Sequence, residues 1–319
     1  MNPRYIFFGS NEFSEITLNR LIESETIPIF VITNPAKPLG RKQVLTLNGV
    51  QLLAEKHDIL VVTPNGLKNE DFLKKIKQCN PDVAVVASYG KLIPKNVLDI
   101  PKRGFLNIHP SLLPKWRGAS PIQSTILAGE EKTGITIMLM DETIDHGPII
   151  SQRELNIGGQ NYSFEELSAI LATMGAEVLI EVMPKWINRK IKAKAQKHSQ
   201  ATFCTKIDIG DSKINWLKPA EEIERLVLAL NPEPGTYTFI NDNGRPLMLK
   251  VLKVKIYQIP GDLPERRMGQ VFQLPDKKMA VICQKDNLIL ETVHLEGRKP
   301  MTGTDFLMGH KHVIGQILS

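Results

Sequence analysis

The first 140 residues alternate between two periodicities, and that alternation restricts the fold more than any other feature of the chain. Apolar runs at residues 5–8, 27–32, 59–62, 83–87 and 135–140 are short, rich in Val and Ile, and bounded by Gly, Pro, Asn and Asp. Uninterrupted apolar runs of this length are the pattern of strands covered on both faces. Between them, residues 12–23, 49–57 and 68–78 carry apolar side chains at helical spacing, which supplies crossovers. Strand and helix in turn predict an α/β fold with a doubly wound, Rossmann-like parallel sheet. A long helix over residues 164–186 closes this part.

Beyond residue 208 the pattern changes. One helix, residues 220–230, is followed by strand-like runs near 236–240, 247–257, 268–272, 279–283 and 288–293, separated by turn signals such as Asn241-Asp242-Asn243-Gly244 and Pro260-Gly261-Asp262. Such a series predicts a compact C-terminal β-barrel of the oligonucleotide-binding (OB-like) type. The expected organisation is a catalytic domain over 1–187, a linker over 188–208 and the barrel over 209–319, in keeping with a length of 319 residues.

The net charge of +6 is unevenly placed, since residues 182–207 hold seven basic side chains and no acidic one. On charge alone this strip reads as a solvated linker ahead of a phosphate-binding surface. Cys79, Cys204 and Cys283 are odd in number and lack metal-site spacing, so free thiols in a cytoplasmic protein are expected. No apolar run was expected to reach the roughly 20 residues that cross a bilayer, and the first residues lack the apolar stretch of an export signal. His310 and His312 are read as part of a solvated tail, and no metal is expected.

The loop after the first strand, Gly9-Ser10-Asn11-Glu12, lacks the three-glycine spacing of a dinucleotide site, and no phosphate-gripping Gly-Lys-Ser or Gly-Lys-Thr occurs. Ligands of such sheets gather at the carboxyl ends of the strands. There, Asn107 and His109 flank Ile108 and project from one side of an extended backbone. An amide and an imidazole so placed can donate to a carbonyl oxygen that is becoming an oxyanion, each worth about 3 kcal/mol in acyl transfer. Asp141 and Asp145 follow the run at 135–140, where a carboxylate could fix the imidazole tautomer and favour its charged form. With no Gly-x-Ser-x-Gly elbow, direct attack by a substrate amine is the simplest chemistry.

Asn107-x-His109, then Ser111-Leu112-Leu113-Pro114, then Asp145 and Gly147, resemble the folate-dependent formyltransferases. Trp116-Arg117-Gly118-Ala119-Ser120-Pro121, the loop around Arg41, Asp211 with Trp216, and Glu296-Gly297-Arg298 extend the resemblance, over nearly the whole chain, to the members that formylate methionyl-tRNA. The resemblance implies catalysis by Asn107, His109 and Asp145, and binding of 10-formyltetrahydrofolate by Ser111, Leu112, Leu113 and Pro114. Phe13 is then expected to border the methionine side chain. Arg41 and the strip lysines Lys190, Lys192 and Lys194 are expected to meet initiator methionyl-tRNA, and the protein to act as a monomer without a membrane. A sugar-nucleotide formyltransferase, or a hydrolase with water as acceptor, shares the same folate site and stands as the alternative. A nucleic-acid-binding protein that has lost catalysis is the reading from another class. His146 departs from the family pattern and is expected to face solvent.

Overall fold

A computed structural model describes residues 3–39, 44–242, 244–258 and 267–319. The chain forms two compact units. One comprises residues 1–121, 131–158 and 165–205, and the other residues 122–130, 159–164 and 206–319. Most of the basic strip set down as a linker therefore belongs to the first unit.

In chain order the first unit begins with β1 (Tyr5–Phe8), α1 (Glu12–Glu23), β2 (Phe30–Ile32), β3 (Lys37–Leu39), β4 (Val44–Thr46) and α2 (Gly49–Lys56). It continues with β5 (Leu60–Val62), α3 (Glu70–Cys79), β6 (Val83–Val86), α4 (Lys95–Leu98), β7 (Phe105–His109) and β8 (Arg117–Gly118). After α5 (Pro121–Ala128), which from Ile122 onward belongs to the other unit, the first unit resumes with β9 (Lys132–Leu139), β10 (Ile149–Asn156), α6 (Phe164–Ile187) and β11 (Phe203–Cys204). Seven strands form one sheet in the order β10-β9-β7-β6-β1-β2-β5. The run from β5 to β7 is parallel, and its central strands β1 and β6 are buried at every residue, as the apolar runs require. The strand expected at 135–140 departs from that pattern, because β9 runs antiparallel to β7 and is followed by an antiparallel edge strand β10.

Helices α1, α2 and α3 each start at an asparagine, Asn11, Asn48 and Asn69, whose side chain accepts a main-chain N–H of the first turn. Each crossover is thereby launched at a fixed point beyond a strand. Helix α6 corrects the expectation about apolar length. It has 24 residues and is apolar enough to cross a membrane by composition, but more than half of its most apolar stretch is buried inside the unit. Gly175 shows how closely it packs, since a Cβ there would lie 2.5 Å from Ile108 Cγ2 on β7. The strand that carries Asn107 and His109 is thus backed by a helix at nearly backbone contact.

The second unit contains α7 (Ala220–Leu230), β12 (Tyr237–Asp242), β13 (Arg245–Tyr257), β14 (Val271–Gln273), β15 (Met279–Ile282), β16 (Asn287–Leu295), β17 (Met301–Thr302) and α8 (Gly303–Gly309). Its antiparallel sheet has the order β12-β13-β16-β15-β14, with β17 on β16. Residues 315–319 lie between the two end strands. Gly315 N–H donates to Val271 O at 2.8 Å and Val271 N–H to Gln316 O at 2.9 Å, while Phe239 N–H donates to Ser319 O at 2.8 Å. That segment closes the sheet into a barrel around Trp216, Val227, Leu249, Leu290 and Phe306. The tail is therefore packed and not solvated as expected: Val313 and Leu318 are buried, His310 stacks on Phe306, and His312 lies 3.0 Å from Asp242.

Candidate active site

Strand β7 pairs with β6 through Val86 and Asn107 and with β9 through His109 and Thr136, so both side chains emerge where parallel and antiparallel halves of the sheet meet. Asn107 is half-buried and His109 buried. Asp145, on the loop that follows β9, reaches both. Its Oδ1 lies 3.3 Å from Asn107 Nδ2 and 3.5 Å from His109 Nδ1. Its Oδ2 accepts the Gly118 N–H at 2.8 Å.

The other ring nitrogen of His109, Nε2, lies 3.0 Å from Trp116 O. A carbonyl and a carboxylate both only accept, so each ring nitrogen of His109 faces an acceptor. Asn107 gives one amide hydrogen to Asp145 and has a second to offer. The cluster therefore brings an amide donor and an imidazole to one point, backed by a carboxylate.

Ser111, Leu112, Leu113 and Pro114 form a turn next to β7. Ser111 Oγ donates to Lys115 O at 2.6 Å, Thr136 Oγ1 donates to Ser111 O at 2.6 Å and accepts Leu113 N–H at 3.1 Å, and Gln152 Nε2 donates to Leu113 O at 2.8 Å. These bonds leave Leu112 and Pro114 partly exposed. Leu92 and Ile144 are exposed on the loops after β6 and β9. Phe13 is buried in the first turn of α1. The same turn is tied across the sheet, because Ser14 Oγ donates to Ala87 O at 2.5 Å and Asn11 Nδ2 to Ser88 Oγ at 2.7 Å.

Three side chains that sequence reasoning did not single out hold this cluster. Gln196 Nε2 donates to Asp145 O at 2.9 Å and Gly147 O at 2.7 Å. Arg117 in turn grips Gln196 Oε1 from Nε at 3.1 Å and from a terminal nitrogen at 2.7 Å, and it also reaches His198. No local signal marks them, since Gln196 lies 51 residues from Asp145. Gly147 did carry a signal: a Cβ there would lie 1.9 Å from Leu139 O.

Lys190, Lys192 and Lys194 are all exposed, with Ile191 and Ala193 partly buried between them. The main chain of Lys194 is pinned by reciprocal hydrogen bonds of 2.8 Å with Ile149. The strands β3 and β4 pair antiparallel, and Arg41 lies outside the described residues.

Residues 4–183 match the formyl transferase family and residues 206–311 match the formyl transferase C-terminal domain. Methionyl-tRNA formyltransferase of Ehrlichia canis is 39% identical over 96% of this chain and 97% of its own length. The enzyme of the same name from Caldicellulosiruptor saccharolyticus is 38% identical over 98% of this chain and 99% of its own. Among solved structures, HypX from Aquifex aeolicus in complex with tetrahydrofolic acid superposes with a TM-score of 0.65 at 14% identity, over 96% of this chain and 47% of that protein.

Proposed function

The chain belongs to the methionyl-tRNA formyltransferases, and from that membership we infer that it transfers the formyl group of 10-formyltetrahydrofolate to the free amino group of methionyl initiator tRNA, for the initiation of translation. The observation that carries the reading at the site is the convergence of Asn107 and His109 on one oxygen of Asp145. In this reading the second Asn107 amide hydrogen and the charged His109 ring stabilise the oxyanion that develops at the formyl oxygen. Asp145 orients His109 and balances its charge. The amine attacks in its neutral form, and the new C–N bond gives a tetrahedral adduct with its charge on the formyl oxygen; collapse of that adduct breaks the bond to the folate nitrogen, which takes up a proton as the amine gives one up.

The folate supplies the formyl carbon. Ser111, Leu112, Leu113 and Pro114 hold it, a role supported by the fixed turn, which leaves Leu112 and Pro114 partly exposed. Phe13 borders the methionine side chain, and Arg41 with Lys190, Lys192 and Lys194 engages the tRNA. The domain over 1–187 carries out the chemistry and the barrel over 209–319 joins the basic strip in binding the tRNA. The protein works in the cytoplasm as a monomer. Incubation with 10-formyltetrahydrofolate and methionyl-tRNA should yield formylmethionyl-tRNA, and absence of that product with authentic substrates defeats the reading.

A further inference from the structure

The chemistry above leaves His146 and His198 without a role. Their rings stack, with centroids 4.2 Å apart and planes 9° from parallel, so His146 does not simply face solvent as expected. His198 is exposed and His146 half-buried, which leaves both open to protons from water. His146 Nδ1 lies 2.7 Å from Asp141 Oδ2, and an ionised carboxylate only accepts, so that nitrogen donates. His198 Nδ1 lies 2.9 Å from a terminal nitrogen of Arg117. A guanidinium only donates, so this hydrogen bond exists only in the form of His198 whose Nδ1 carries no proton and accepts.

The same guanidinium holds Gln196, and Gln196 holds the main-chain oxygens of Asp145 and Gly147. A closed circuit thus runs from the His146 ring through His198, Arg117 and Gln196 back to the peptide beside His146. It encloses a backbone that needs holding. Asp145 has φ +50, the left-handed region that a non-glycine residue occupies only when its surroundings impose it.

Resting on the transfer reaction inferred above, we propose that His146 and His198 are positioning residues for Asp145: stacked, they lock residues 196–198 onto the loop of residues 141–147, and the lock holds only while His198 is neutral. Among the described residues, the charged groups in contact with the pair are Asp141 from the loop, against His146, and Arg117 from β8, against His198. Asp141 is committed to His146. A proton gained by His198 Nδ1 therefore removes the acceptor for Arg117 and sets two cations 2.9 Å apart. Gln196 then loses its fixed partner, and Asp145 is free to leave the left-handed conformation.

The test compares the parent with His198→Ala and His198→Asn in single-turnover formyl transfer from about pH 5.5 to about pH 8.5. Asparagine keeps an acceptor for Arg117 and cannot become charged. His198→Ala should slow transfer about tenfold throughout. His198→Asn should recover most of that loss and, at the acid end, retain about fivefold more of its neutral-pH rate than the parent does. An acid limb that superimposes on the parent's overturns the proposal, as does a His198→Ala rate equal to the parent's. Imidazole resonances of the free protein give a measure independent of catalysis. Coupled titration of the two rings, with His146→Asn displacing the His198 midpoint, supports the lock, and independent titration sinks it. If the parent transfers no formyl group at all, the functional reading fails while the resonances still decide this proposal.

Discussion

The main-chain N–H of Gly118 donates to Oδ2 of Asp145 at 2.8 Å, which ties the loop after β9 to the two-residue strand β8. Gly118 can do this because it has φ +124 and no Cβ, and a Cβ there would lie 2.0 Å from Cys204 O. Gly118→Ala should therefore push β8 away from β11 and lower the unfolding free energy by about 2–4 kcal/mol. The formyl-transfer rate should fall with it. Denaturant unfolding midpoints for parent and variant measure the first effect, and an unchanged midpoint would show that β8 can move without cost.

Asn107→Ala and His109→Ala should each reduce the turnover number by about a hundredfold or more while tRNA affinity stays within about twofold, because both act on charge that exists only in the transition state. Asp145→Asn keeps the shape of the side chain but removes the anion opposite His109, so it should lower the rate and displace its pH profile. Steady-state rates with saturating substrates, set beside filter-binding affinities, separate the two effects. Weakened binding with an intact turnover number would assign these residues to substrate capture instead.

The parts of this site that were legible in the sequence are those whose chemistry is local. Asn107 and His109 are two residues apart on a strand, and the alternation of side chains alone puts them together. The parallel core strands were equally legible, since burial on both faces leaves an apolar run at β1 and β6. Strand β10 was not, because it is an edge strand whose residues alternate between partly buried and exposed along Arg153, Glu154, Leu155 and Asn156. Gln196 and Arg117 meet across 79 residues through hydrogen bonds that leave no periodicity behind. Barrel closure by residues 315–319 was invisible for a similar reason, as it is made by main-chain groups that every sequence has.

That closure makes Leu318 a sensitive position. Its side chain is buried in the barrel core, and its N–H donates to Gly269 O at 2.9 Å. Leu318→Ala should destabilise the second unit by about 2–4 kcal/mol, and Leu318→Asp should do more by placing a carboxylate among apolar groups. Hydrogen exchange at Val271 and Phe239, which bond to the same segment, should speed up in both variants. Exchange as slow as in the parent would mean that the barrel stays shut without this side chain.

Burial pushes the Cys283 thiol up to about 12. The ordinary thiol value of about 8.5 applies to the unfolded chain, so the folded value is the raised one. Stability from the neutral thiol is then fully present below about pH 8.5 and is lost as pH climbs through about 12. Cys283 should resist alkylation at about pH 8.5 in the native protein and react once the chain is unfolded, while the partly exposed Cys79 reacts in both states. Peptide mapping after a timed pulse of iodoacetamide distinguishes the two thiols. Equal labelling of Cys283 in native and unfolded protein would place it at the surface.

Charge alone left the basic strip an inert solvated segment, and the geometry gives a reason to expect more of it. Lys190, Lys192 and Lys194 are exposed, and the main chain beneath them is fixed at Lys194 by its bonds to Ile149. A backbone held in place presents its charges with less ordering to do on binding than a free linker does. Changing all three lysines to Gln should weaken binding to every tRNA tested, and flatten the dependence of log affinity on log salt by about 0.7 to 0.9 for each phosphate contact removed. Arg41→Ala should behave differently. On the reading proposed above Arg41 engages the end of the acceptor stem, where it would report local geometry, so its loss should erode discrimination between initiator and elongator methionyl-tRNA more than affinity as a whole. Binding titrations from low to moderate salt, with both tRNAs and each variant, make the comparison. Should the triple variant keep the parent's affinity and salt slope, the strip does not hold the tRNA, and the phosphate contacts must lie elsewhere on the protein.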